Sequence, residues 1–135
     1  MKTESKLTRQ ILSQLTSRNP QWEVIKHADR FSTGIPDASF TLGPKTFWLE
    51  LKVLQKLTQI LARPKDWVDN QVQLARLLKM NGYYWVHDER LEGSLIIHAS
   101  QVLAALRSGE LLKMQLAPGL GVDELEKLIT ENLCL

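Results

Sequence analysis

The sequence predicts an α/β fold, a mixed sheet of about five strands flanked by helices. Three observations predict it. Apolar residues recur at helical spacing near the N-terminus, at Leu7, Ile11 and Leu15. A clean strand alternation runs through Thr46 to Val53, just after the turn residues Gly43-Pro44-Lys45. Beyond it, helical and strand-like stretches alternate along a chain of 135 residues, enough for one real core.

The elements follow in order. A first helix is expected over about residues 4–18, stopped by Asn19-Pro20. Trp22 to His27 reads as a strand, and Asp37 to Leu42 with Thr46 to Val53 as a hairpin. Leu54 to Lys65 is ambiguous, with Leu57, Ile60 and Leu61 hinting at a helical turn that Pro64 ends. A second helix is expected from about Trp67 to Asn81, capped by Asp66, with Gly82 just past its end. Tyr83 to His87 and Leu95 to His98 read as two further strands. Ser100 is expected to cap a short helix ending before Gly109, and Asp123 with Glu126 to open a last helix ending near Asn132. Nothing divides the chain, so residues 1–135 are expected to form a single domain.

Composition narrows the setting. Hydrophobic residues make up 44% and charged residues 24%, the balance of an ordinary globular protein. No apolar run approaches the roughly 20 residues a membrane helix needs. The N-terminal Met1-Lys2-Thr3-Glu4-Ser5 lacks an apolar signal core, and the one cysteine, Cys134, cannot form an internal disulfide. A reducing, cytoplasmic setting is therefore expected. Three scattered histidines and one cysteine argue against structural zinc. Charge is unevenly placed: residues 1–65 carry eleven Lys/Arg against five Asp/Glu, and residues 66–135 carry six against ten. The basic half suits a polyanionic partner.

That basic half also holds the most informative fragments, Gly34-Ile35-Pro36-Asp37 and, after twelve intervening residues, Glu50-Leu51-Lys52. Phe47, Leu49, Leu51 and Val53 point one way, while Thr46, Trp48, Glu50 and Lys52 point the other. Two residues apart on one strand face, Glu50 and Lys52 lie roughly 6–7 Å from one another. A hairpin register pairing Asp37 with Glu50 sets Ser39 against Trp48 and Phe40 against Phe47, and leaves residues 42–45 as the loop. Asp37, Glu50 and Lys52 then share one polar face; a one-residue slip would send Asp37 to the apolar face. Two adjacent carboxylates repel unless a cation lies between them, and a hard divalent ion such as Mg²⁺ is the natural one. Such an ion with a nearby lysine suits attack on a phosphodiester. A bare Glu-x-Lys would be an ordinary cross-strand pair; the hairpin context is what lifts it.

Two residues sharpen the site. Glu4 falls on the same helical stripe as Leu7, Ile11 and Leu15, so its carboxylate is aimed inward unless the helix begins after it. Gln71, Leu74 and Leu78 are expected to share an inward face of the second helix.

The ordered set Gly34-Ile35-Pro36-Asp37, Trp48-Leu49-Glu50-Leu51-Lys52, and Gln71 eleven residues before Gly82 resembles the PD-(D/E)XK nuclease superfamily. Within it the chain looks most like the VRR-NUC group and the related Holliday junction resolvases. The resemblance covers about residues 1–90 and is specific in the combination, weak in any one piece. It implies a restriction-endonuclease-like mixed sheet, a magnesium or manganese site and hydrolysis of DNA phosphodiesters. Carried over, Asp37 and Glu50 would bind metal together with the main-chain carbonyl of Leu51. Lys52 would position the attacking water, Gln71 would be the helix glutamine, with Gln73 as its competitor, and Glu4 resembles the acid some members use for a second metal ion. Lys56, Arg63 and Lys65 after the catalytic strand, and Arg30 before the motif, would contact DNA. Trp48 is expected to pack under the metal site rather than stack on a base, and His27 either to reach the DNA backbone or to serve as a structural hydrogen-bonder. The segment after about residue 98, with helices over about 99–133, matches no part of the family and is expected to close the core or build a dimer interface.

The function expected on this basis is a metal-dependent endonuclease for branched or structured DNA. A homodimer is expected because two strands need two sites. A sequence-directed homing or restriction-like endonuclease, a catalytically silent DNA-binding module, and RNA as substrate are the alternatives. A small stand-alone nuclease of this kind would be at home in a phage.

Overall fold

The computed structural model describes residues 4–27, 34–54, 63–89, 92–109 and 116–134, the side chains of Glu4, Ser5 and Asp66 excepted. Its centre is one mixed sheet in the order β1 (Glu23–Lys26), β2 (Ala38–Leu42), β3 (Lys45–Leu54), β4 (Tyr83–Asp88), β5 (Gly93–His98) and β6 (Ala117–Pro118). Every neighbouring pair is antiparallel except β3–β4. That parallel pair needs a crossover, which carries α2 (Gln71–Lys79). The other helices are α1 (Glu4–Arg18), α3 (Ala99–Ser108) and α4 (Val122–Leu133). The expected mixed sheet flanked by helices is present, with six strands where about five were predicted.

Alternation along the strands divides the core in two. Ala38, Phe40, Phe47, Leu49, Leu51 and Trp85 pack with Leu7, Ile11 and Leu15 of α1 and Leu125 and Ile129 of α4. On the other face Leu54, Tyr84, Val86, Leu95 and Ile97 pack with Trp67, with Leu74 and Leu77 of α2, and with Val102 of α3. The β2–β3 register is the productive one, with Ser39 opposite Trp48 and Phe40 opposite Phe47. Pairing continues to Leu42↔Lys45, so the loop tightens to Gly43-Pro44 at its tip. Gly43 holds φ +60° there, the conformation a two-residue hairpin turn asks of its first central residue.

Several boundaries differ from expectation for identifiable reasons. The second helix starts at Gln71, not Trp67, because Asn70 rather than Asp66 is its N-cap: the Asn70 side chain accepts the Gln73 N–H. Residues Pro64–Asp66 form a separate 3-10 turn. The third helix is capped by His98, whose Nδ1 accepts the Ser100 N–H at 3.0 Å, leaving Ser100 inside the helix. The last helix has Gly121 at its N-cap and no side-chain cap. Asp123 and Glu126 serve tertiary contacts instead: Arg18 donates to Asp123 at 2.7 Å and Asn19 Nδ2 to Glu126 at 2.7 Å. Long-range partners at the end of α1 outcompete the local capping box. The two-residue β6 was not predicted at all. The ambiguous stretch around Leu57, Ile60 and Leu61 lies outside the described residues.

Candidate active site

Backbone pairing between β2 and β3 ends at Ala38↔Leu49, just after Pro36, which has no N–H to give a ladder. Side chains take over at that point. The Asp37 N–H donates to Glu50 Oε1 at 3.0 Å, and the Leu51 N–H donates to Asp37 Oδ2 at 3.0 Å. Each acid is thus held by the backbone of the other's strand. In an extended strand a residue's N–H and C=O lean to the same side, so the Leu51 carbonyl also faces this junction. Gly34 allows the turn before it: with φ +85°, an added Cβ would lie 2.9 Å from both the Gln73 backbone nitrogen and Val72 Cγ1. The start of α2 is therefore seated directly on the turn that delivers Asp37.

The electrostatics are strained. Glu50 is only 3% exposed. Burial first, and the neighbouring Asp37 charge second, push its carboxyl up to about 9, against the opposing pull of Lys52. Lys52 Nζ lies 3.8 Å from Glu50 Oε2 but 3.0 Å from Asp69 Oδ1, and so meets the exposed acid more closely than the buried one. The two carboxyl groups interact directly at this junction, on the side to which the Leu51 carbonyl leans. Among the described residues no third His, Cys, Asp or Glu joins them. That donor set fits Mg²⁺, which takes one or two carboxylates and keeps much of its own water. The residues present therefore fit a hard divalent ion.

The other expected site residues divide. Gln71 opens α2 and is exposed, a correction to its expected inward placement. The buried stripe is Gln73, Leu74 and Leu77, and Gln73 is 7% exposed. Gln71 and Gln73 lie about 200° apart on a helix, so the packing that buries Gln73 turns Gln71 out to water. Arg63 and Lys65 are exposed beside the 3-10 turn. Arg30, Lys56 and the Glu4 side chain lie outside the described residues. α1 itself packs on the face opposite Glu50 and Lys52. His27 Nε2 sits 2.8 Å from Ser39 Oγ, and its ring stacks on Trp48 with centroids 5.2 Å apart, so both support the strand beside the acids.

Two residues near the acids are not among the expected site residues. Asp69 lies in the loop before α2; a correct N-cap at Asn70 would have left it as a free loop acid. Tyr84 is directly opposite Glu50 in the parallel register and 1% exposed, and its hydroxyl has no hydrogen-bond partner among the described residues. Burial, then the charges of Glu50 and Asp69, raise its pKa. Only knowledge of the β3–β4 pairing could have placed it.

No protein-family model and no curated protein sequence matches this chain. Among solved structures, the Holliday junction resolvase Hjc of Archaeoglobus fulgidus, an archaeal hyperthermophile, is similar over 71% of this chain and 77% of its own. The TM-score is 0.48 and the sequence identity 14%.

Proposed function

We propose that this chain is a metal-dependent DNA endonuclease of the PD-(D/E)XK type, with all 135 residues forming one domain. The observation that carries the reading is the Asp37–Glu50 clamp, with Lys52 on the same strand face. Asp37, Glu50 and the Leu51 carbonyl would hold Mg²⁺ or Mn²⁺. When bound, that ion supplies charge neutralisation at a phosphodiester and a more acidic water. Lys52 would orient the attacking water and offer a compact positive charge to the crowded phosphate. We assign the helix-glutamine role to Gln73 rather than Gln71, because Gln73 is buried and its backbone abuts Gly34. Arg63 and Lys65, with Arg30 and Lys56, would contact phosphates along the flanks.

Branched or structured DNA is the proposed substrate. Among the described residues each helix packs on the sheet, an arrangement that favours recognition of backbone shape over direct reading of a long base sequence. A homodimer would set one site against each of two strands. The test is cleavage of labelled four-way junction, flap and linear duplex with Mg²⁺, Mn²⁺ or EDTA. Metal-dependent cutting with preference for a branched DNA supports the reading; site-specific cutting of plasmid points to a homing or restriction-like enzyme. Tight binding without cutting would make the chain a binding module.

A further inference from the structure

We infer that Asp69 is a positioning residue for Lys52, holding its ammonium away from Glu50 so that the acid pair stays available to a divalent cation. The inference rests on the proposed nuclease site and adds a residue to it. Asp69 Oδ1 takes Lys52 Nζ at 3.0 Å, while Glu50 Oε2 stands at 3.8 Å. Lys52 is 17% exposed and Asp69 76%, so the pair runs from the site out to solvent.

An isolated surface ion pair is worth little, because two mobile side chains must be ordered to form it. Here the acid's backbone is already fixed on both sides. Trp67 is 4% exposed, its ring set edge-on to Tyr84 at 5.2 Å, and its N–H bonds Pro64 O at 3.0 Å. Asn70, next in the chain, caps α2 through the Gln73 N–H at 2.9 Å. Asp69 therefore stands on a short strap between a buried indole and a capped helix, with a short side chain that loses little freedom on pairing. Loss of the Asp69 pair would favour closer approach of the ammonium to Glu50, already 3.8 Å away, at an oxygen a metal ion needs. Because the pair is open to solvent, an incoming phosphate can still draw Lys52 off Asp69.

A double-mutant cycle tests this, with Mn²⁺ binding to the full chain measured by calorimetry. The proteins are wild type, Asp69→Asn, Lys52→Met and the double variant. Asp69→Asn is expected to weaken Mn²⁺ binding about two- to fivefold, the range an exposed pair can supply. In the Lys52→Met background the same change is expected to have no effect, and Asp69→Glu is expected to restore binding. An equal loss in both backgrounds would overturn the inference, because Asp69 would then act on the cation by its own charge. No loss in either background would overturn it too. Mn²⁺ binding without DNA cleavage by wild type would sink the nuclease reading while the cycle still decides on Asp69. No Mn²⁺ binding by wild type would overturn both.

Discussion

Two polar clusters, one on each face of the sheet, differ in how their buried groups are satisfied. On the face under α1 and α4, the polar side chains of β4 and β5 are satisfied by one another and by nearby carbonyls. Ser94 Oγ donates to Gly119 O at 2.7 Å, so the 2.8 Å contact with His87 Nδ1 has the imidazole donating, and the Trp85 indole N–H reaches Leu120 O at 2.7 Å. On the other face, Glu50 is buried beside Asp37 with its carboxyl pushed up to about 9, and the Tyr84 hydroxyl is buried without a partner among the described residues. Buried polar groups are ordinarily satisfied, and unsatisfied or repelling ones gather where a ligand or reaction uses them. Under the proposed reading, one side of the same six strands serves folding and the acid pair on the other would serve chemistry.

Substitutions should separate the faces. The largest effect is expected from Asp37→Ala, which should reduce DNA cleavage to background while leaving the thermal midpoint close to wild type. Lys52→Ala should cost on the order of 10²- to 10³-fold in single-turnover rate. Next in size, Leu49→Ala on the closed face should lower stability by about 2–5 kcal/mol through cavity formation, read by denaturant unfolding. Its cleavage rate, measured well below the melting temperature, should stay near wild type. A loss of cleavage with Leu49→Ala larger than with Asp37→Ala would break the division.

A smaller effect concerns pH. The Glu50 carboxyl is raised from an ordinary 4.5 to about 9 in the folded, metal-free protein. Between those values the folded state holds a proton that the unfolded chain has released, so stability should fall as pH rises through the window. Glu50→Gln should flatten that slope in unfolding measurements at pH 6 and pH 8.5. Divalent cation must displace the same proton, so Mg²⁺ or Mn²⁺ should bind more tightly as pH rises toward about 9. The smallest change is expected from Tyr84→Phe, which removes a buried hydroxyl lacking a partner and should leave stability unchanged or slightly higher. A clear destabilisation would mean that the hydroxyl is satisfied in solution.

Much of the open face was legible because the hairpin alternates so strictly. Phe47, Leu49 and Leu51 against Trp48, Glu50 and Lys52 permit one register, and that register places Asp37. The inward placement expected of Gln71 failed because Gln71 and Gln73 lie about 200° apart on a helix, and only the packing of α2 on the sheet decides which of them is buried. Asp69 and Tyr84 were invisible because their link to the site runs through tertiary structure, a crossover loop in one case and a parallel pairing in the other. The last helix misled in the same way, its capping-box residues being engaged by Arg18 and Asn19, more than a hundred positions away.

If Asp37 and Glu50 form a divalent cation site, Mn²⁺ should lodge between them. Anomalous diffraction from crystals soaked in Mn²⁺ tests it most directly. The account predicts one peak lying between the two carboxylates and the Leu51 carbonyl, absent from Asp37→Ala crystals. A site left without a peak at saturating Mn²⁺, or a peak that persists there in Asp37→Ala, would contradict it.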